Sequence, residues 1–285
     1  MIARSCSEEQ LLFAGGEYEM VDLHSHVLFD VDDGSENLEM SIKMIEQSIR
    51  EGVKILALTP HHIRDLYTEA MERKEEYEEK FAFLKKRFEG KIELVPSLEI
   101  MIDEKIISDL DKGYLMGYNR SKTVLVEFNL IDYPLYSENI FYNLKKNGYQ
   151  VILAHPERNR ALMEDPEKMY HLRDLGVLFQ LNAGSLLGQF GEKTESFARE
   201  LIRKNLIHGI GSDGHKDVRR DMRIRHAYDV VKELNEALYE NIMENGEKLI
   251  HGEKVEVLPY KPWTDPVKVK KRKRKKKGLL AFLKR

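Results

Sequence analysis

Cysteine is nearly absent from this 285-residue chain: Cys6 stands alone. A single thiol excludes an internal disulfide framework and points to a reducing compartment. No apolar run approaches 18 residues, so no transmembrane helix is expected. The first 20 residues carry Glu8, Glu9, Glu17 and Glu19 and lack the basic-then-apolar order of a secretory leader. A net positive balance is lacking over most of the length. Residues 268–285 hold 11 Lys and Arg and no acid, and the rest of the chain holds 35 basic against 49 acidic side chains. The body, at net −14, is unsuited to broad nucleic-acid binding.

What is present is an alternation. Apolar, β-branched runs at Met20–Leu23, Ile55–Leu58, Ile92–Leu98, Thr123–Phe128, Val151–Ala154, Val177–Leu181 and Leu206–Gly211 read as strands. Helical patterns lie between them. Leu38, Ile42, Ile45 and Ile49 mark one helix. Residues 68–89 form a long charged helix with Tyr77, Phe81, Leu84 and Phe88 on one stripe. Others fall at Ile140–Lys146, Pro166–Leu175, Glu195–Lys204, Met222–Leu234 and Asn235–Ile250. Gly52, Gly148 and Gly176 each precede a strand, where a helix C-cap is expected. Alternation of this kind implies parallel βαβ units, and seven strands suit a distorted (β/α) TIM-like barrel better than an open sheet.

The residues following the strands carry the chemistry. The first run leads into Asp22-Leu-His-Ser-His26, and an i, i+2 spacing in extended chain puts both imidazoles on one face. The acidic turn Asp30-Val-Asp-Asp-Gly34 comes next. After later runs come Thr59-Pro-His-His62, Glu99, His155-Pro-Glu-Arg158, Asn182 and Ser212-Asp-Gly-His215, and Glu127 lies in the last part of the fourth. In a (β/α) barrel the strand C-termini open onto one face. Six of the ten histidines fall at such positions, which points to a divalent-cation site. His171, His208, His226 and His251 lie elsewhere and read as structural or solvated. Asp22, just before the pair, is expected to orient an imidazole. His62 reads equally as a contact near the site or as an ordinary loop residue.

In this order, the motifs resemble the PHP superfamily of metal-dependent phosphoesterases, and within it the bacterial capsule and exopolysaccharide tyrosine phosphatases of the CpsB/YwqE type. The resemblance spans residues 20 to 250. It implies a distorted seven-stranded barrel, the PHP fold, with three divalent metals. His24, His26, Glu99 and Asp213 would hold the first, Glu99, Glu127 and His155 the second, and Asp33, His61 and His215 the third. Manganese is the first expectation. Mixed nitrogen and oxygen ligands also admit iron and zinc. Arg158 and Arg220 would bind phosphoryl oxygens, with Arg219 a contender for the second place. The implied reaction is hydrolysis of phosphotyrosine on a membrane-bound bacterial tyrosine kinase that controls capsule or exopolysaccharide synthesis or export. Alternatives are a small-molecule phosphatase of the histidinol-phosphate type and a non-catalytic metal-binding adaptor at the membrane. The general acid is open among Asp30, Asp32, Glu157 and water. Cys6 is not the nucleophile. Cys6-Ser-Glu-Glu-Gln has no following arginine, and adjacent acids raise a thiol pKa.

Three regions are expected: an N-terminal extension over 1–19, the phosphatase domain over 20–258, and a linker with a basic amphipathic tail over 259–285. Lys268 to Lys277, followed by Leu279, Leu280, Phe282 and Leu283, suits an anionic membrane surface. The expected location is cytoplasmic, peripheral on the inner face of the membrane, with no nucleic acid bound.

Overall fold

Short aliphatic runs flanked by amphipathic helices bury both of their faces when they pair in parallel, with helices covering the outside. A computed structural model of the chain describes residues 19–66, 74–218 and 220–263. Its strands are β1 (Met20–Asp22), β2 (Val53–Leu58), β3 (His61–His62), β4 (Glu93–Pro96), β5 (Glu99–Met101), β6 (Thr123–Glu127), β7 (Gln150–Ala154), β8 (Leu178–Asn182) and β9 (Gly209–Gly211). One sheet has the order β1-β2-β4 and the other β3-β5-β6-β7-β8-β9, all parallel.

Among the described residues, the seven runs thus appear as nine strands. The second resumes as β3 after Thr59-Pro60, and the third resumes as β5 after Ser97-Leu98. Proline has no N–H for a ladder, which favours a break at Pro60. Backbone bonds from Ser97 N–H to Leu58 O (2.9 Å) and from Glu99 N–H to Pro60 O (3.1 Å) carry the pairing across both breaks. At the other side, Leu23 N–H bonds Ile210 O (3.1 Å), Asp213 N–H bonds His24 O (2.8 Å) and His26 N–H bonds Gly214 O (2.9 Å). The two sheets therefore curl around a shared interior.

Strand periodicity divides the core. Ile55, Ala57, Leu125, Ile152, Ala154 and Leu178 belong to an inner apolar cluster, closed by Tyr118, Leu249 and Ile250. Their alternate neighbours, Leu56, Leu58, Val124, Val126, Val151, Leu153 and Phe179, join the larger layer under the helices. Fully burying one such side chain stabilises by roughly 1.5–3 kcal/mol. The interior is narrow at β9: a Cβ on Gly209 would sit 2.2 Å from Leu23 Cδ1, and one on Gly211 2.4 Å from His24 Cβ.

Helices occupy Leu38–Glu51, Lys74–Arg87, Ile106–Asp111, Ser137–Lys146, Arg160–Glu164, Glu167–Asp174, Ala183–Leu186, Glu192–Arg203, Arg225–Leu234 and Glu236–Ile250. Asn37 caps the first through Met40 N–H, and Gly52 ends it at φ 89°. Gly148 and Gly176 also adopt positive φ after their helices, as expected. Tyr77, Phe81, Leu84 and Phe88 form a buried stripe. The expected start of that helix lies outside the described residues. So do Cys6, Arg219 and the basic tail.

Past the last helix, the chain runs back over the outer layer. Lys261 N–H bonds Lys204 O (2.9 Å), Asn205 Nδ2 donates to Pro259 O (2.9 Å), and Trp263 packs on Phe197. No helix among the described residues is long and apolar enough to cross a membrane.

Candidate metal centre

Continuing the inner-facing rows of the strands past the apolar layer replaces hydrocarbon by polar groups. Leu125 is followed two residues on by Glu127, Leu178 by Gln180 and Asn182, and Gly211 by Asp213. A strand period of two keeps each on the inner face. The bends that end the strands bring in the rest. His155 (φ 32°), Asp213 (φ 50°) and Arg220 (φ 55°) all sit in the left-handed region, at about 1 kcal/mol or more each.

The result is one cluster of five imidazoles and four carboxylates. Glu99 Oε2 lies 3.1 Å from His24 Nε2, 3.3 Å from His26 Nε2 and 2.9 Å from His61 Nδ1, while its Oε1 is 2.8 Å from His155 Nε2. Asp213 Oδ1 is 3.4 Å from both His26 Nε2 and His215 Nδ1. Glu127 Oε1 is 3.1 Å from His61 Nδ1. Asp33, at the exposed edge, has Oδ1 3.6 Å from His61 Nε2 and 3.5 Å from His215 Nε2. Four groupings bring ligand atoms within 4.8 Å of one another: His26, Asp33, His61 and His215; His24, His26 and Asp213; His24, Glu99 and His155; His61, Glu99 and Glu127. All nine residues expected as ligands are brought together.

The donor set fits cations on three grounds. First, the tautomers point inward. His24 Nδ1–H donates to Gln180 Oε1 (3.0 Å), His26 Nδ1–H to Asp32 Oδ2 (2.7 Å), and His215 Nδ1–H to the Asp213 carbonyl (2.9 Å). Each turns its Nε2 toward the carboxylates, the orientation that ligating histidines adopt. Second, His24 Nε2 and His26 Nε2 stand only 3.1 Å apart. Two ring nitrogens that close, both beside the Glu99 and Asp213 oxygens, form a donor pair that one cation can span. Third, Glu99 Oε2, Glu127 Oε1 and His215 Nε2 are buried without a hydrogen bond.

The charges behave accordingly. Burial raises the Glu99 pKa, but the charges of His24 and His61 and the His155 contact outweigh it, holding this carboxyl well below its ordinary range. Burial and the Glu99 charge push Glu127 up. Burial, with the neighbouring His26 charge, pushes His215 down to about 4, so its imidazole is neutral.

Sequence reasoning missed Gln180 altogether, and missed the orienting roles of Asp32 and Asn182. Asp32 holds His26 by its ring and His61 by its backbone N–H (2.9 Å). Gln180 holds His24. Asn182 Nδ2 donates to Asp213 Oδ2 (2.5 Å). The signal for Gln180 was its inner-face register with Asn182. Asp22 is corrected. It accepts from the backbone N–H groups of His24 (3.2 Å) and Ser212 (2.8 Å), tying the first strand to the last rather than orienting a ring. His62 lies buried outside the cavity, and burial followed by the Arg64 charge pushes its pKa down.

A cavity of about 310 Å³ opens over the cluster. Its polar wall includes His61, Glu127, His155, Arg158, Asp213 and Arg220, and its apolar wall is Ile63, Met101, Phe128 and Leu130. Arg158 Nη1 donates to Asp213 Oδ2 (2.6 Å) beneath the Phe190 ring. Arg220 Nη2 donates to both Asp213 oxygens (2.9 and 2.8 Å), and its Nε has no partner. Asp30, Asp32 and Glu157 do not line the cavity. Glu157 is buried, accepting from Asn182 N–H (3.0 Å) and Ser185 Oγ (2.6 Å).

Fold and site define an α/β protein with a multi-ligand candidate cation centre at its strand C-termini. Residues 20–251 match the family model for capsular polysaccharide synthesis, CpsB/CapC, and the chain belongs to this family. The tyrosine-protein phosphatase YwqE of Bacillus subtilis is 33% identical over 244 residues, covering 85% of this chain and 96% of that one. A putative tyrosine-protein phosphatase, CapC of Staphylococcus aureus, is 33% identical, covering 83% and 93%. A solved chain from work on YwqE of Bacillus subtilis and CpsB of Streptococcus pneumoniae, described as unique metal-dependent tyrosine phosphatases, superposes with TM-score 0.79 at 33% identity. It covers 86% of this chain and 100% of its own. A histidinol phosphate phosphatase from Lactococcus lactis shares the fold, with TM-score 0.50 at 16% identity over 76% of this chain and 94% of its own.

Proposed function

We propose that this chain is a metal-dependent protein-tyrosine phosphatase. Its substrate on this reading is phosphotyrosine on a bacterial tyrosine kinase that controls capsule or exopolysaccharide synthesis or export. One observation carries it: two arginines and an apolar wall border the same cavity as the imidazole–carboxylate cluster. The activity for which the relatives are named supports the same reading.

Three divalent cations are assigned, manganese first, with iron or zinc as alternatives. His24, His26, Glu99 and Asp213 would hold one; Glu99, Glu127 and His155 a second; Asp33, His61 and His215 a third. When bound, such ions supply positive charge beside a phosphoryl group and lower the pKa of water. The protein's own groups do the rest. Arg158 and Arg220, pinned by Asp213, place guanidinium donors over the phosphoryl oxygens and offset charge that builds there. Ile63, Met101, Phe128 and Leu130 bury the aryl ring and exclude water. A phenolate leaves readily, so no carboxylic acid need stand at the leaving oxygen. The tail from Lys268 to Arg285 is assigned to an anionic membrane surface, beside a membrane-bound kinase.

The test is hydrolysis of a phosphotyrosyl protein against histidinol phosphate, after chelation and after add-back of single metals. Loss on chelation, recovery with manganese and preference for the protein are expected. Preference for histidinol phosphate would turn the reading to a small-molecule enzyme, and metal loading without turnover would turn it to an adaptor. For the tail, full-length protein should sediment with anionic liposomes and a 1–266 truncation should not. Equal binding would remove that assignment.

A further inference from the structure

Single exposed apolar residues are normal on any protein surface, whereas a concentration of them marks an interaction site. Among the described residues, ten large apolar side chains are exposed, and six of them, Leu66, Leu130, Ile131, Leu135, Tyr136 and Val218, lie on three loops. Each loop follows a strand at the cation-site end, and each also sends a residue into the cavity: Ile63, Leu130 and Arg220 respectively. Leu135 is 94% exposed and Ile131 63%.

The loop from Asn129 to Tyr136 is held in place. Asn129 Oδ1 accepts from the N–H groups of Ile131 (2.9 Å) and Asp132 (2.7 Å). Asn159 Nδ2 donates to the carbonyls of Asn129 (2.8 Å) and Asp132 (2.9 Å), and Arg160 N–H bonds Leu130 O (2.9 Å). These tethers come from the two residues directly after Arg158. The exposed apolar side chains are thus fixed relative to a cavity-wall guanidinium. A loop ordered in advance does not lose its own freedom when a ligand docks.

We propose that the Asn129–Tyr136 loop is the docking surface for an extended polypeptide whose apolar or aromatic side chains flank the phosphotyrosine. The inference rests on the phosphotyrosine reading above and narrows its substrate. Leu130 belongs to both the cavity wall and the exposed patch, and Ile131 and Leu135 continue the same tethered loop, which offers apolar contacts to the neighbours of a phosphotyrosine seated in the cavity.

The test compares wild type with the double variant I131S/L135S, neither residue of which lines the cavity. Three probes are used with metal-loaded protein: a phosphotyrosyl peptide with Leu and Phe on its flanks, the same peptide with Ser and Gly flanks, and p-nitrophenyl phosphate. Wild type should favour the apolar peptide by roughly tenfold in kcat/KM, the range that a few buried side chains supply. The variant should lose that preference through KM and keep its rate on p-nitrophenyl phosphate. Equal peptide rates in wild type, or a matching loss on p-nitrophenyl phosphate in the variant, would overturn the proposal. A switch from dimer to monomer in the variant would assign the patch to self-association. Absence of turnover on all three probes would instead remove the underlying phosphatase reading.

Discussion

The two ends of the strand interior share the same strands, and they differ in almost every other respect. At the base, Val21, Leu125, Ile152 and Leu178 meet Leu249 and Ile250 in a wholly apolar layer. At the mouth, Glu127, Gln180, Asn182 and Asp213 continue the same rows, and His155, Asp213 and Arg220 take left-handed backbone. One end holds the fold together. The other gathers groups that bare burial disfavours, because charge and unbonded lone pairs are costly away from water. The difference teaches that the site is an apolar core gone polar over one turn of the strand repeat, so stability and chemistry should be separable by position.

The largest effect should come from the centre of the mouth. Glu99 touches four imidazoles. Glu99→Gln should lower phosphatase kcat by roughly a thousandfold, as loss of a group central to charge stabilisation does, with little change in urea midpoint. An active Glu99→Gln protein would break the proposed site. Gln180→Leu removes the acceptor for His24 Nδ1–H. Its metal affinity, followed by calorimetric titration, should fall about 10- to 100-fold.

At the base, Leu125→Ala should cost about 2–5 kcal/mol in urea denaturation and leave kcat of the metal-loaded enzyme near wild type. A lost kcat at unchanged stability would show that the two ends are coupled rather than separate.

A smaller effect tests the layer under the helices, outside both ends. His208 is fully buried, and Phe179 N–H donates to its Nδ1 (3.0 Å). Burial, then the Arg173 charge, pushes its pKa down to about 3. Above pH 6.5 the ring is neutral folded and unfolded, so the group has no pH effect. Below 6.5 the unfolded chain takes the proton and the folded one does not, so stability falls until about pH 3. His208→Asn keeps an acceptor for Phe179 N–H but cannot titrate. Between pH 7 and 5, wild type should lose about 2 kcal/mol more than the variant in urea midpoint measurements. Parallel pH curves would refute it. Cys6→Ser should change nothing. A dead Cys6→Ser protein would replace the metal reading with a thiol one.

Much of the mouth was legible in the chain because strand endings have local signatures. His24 and His26 follow an apolar run at a spacing of two, and His155-Pro-Glu-Arg158 follows another. The base was legible for the same reason, as alternation within each run. The strand breaks at Pro60 and Ser97 were less so, since they depend on which sheet each segment joins.

By itself, then, the sequence determined the α/β alternation and set His, Asp and Glu at the strand ends, because period and residue type are local properties; the choice of nine candidate ligands and two arginines among them came from the resemblance of the motifs. Only the tertiary structure decided which atoms meet. It set Asp32 and Gln180 as the acceptors that turn His26 and His24 inward, moved Asp22 to a backbone tie, drew both arginines onto Asp213, and put Leu130 on the rim beside an exposed Ile131 and Leu135. These are contacts between residues up to 190 positions apart. Closing loops of that length depends on the whole core, which no local pattern records.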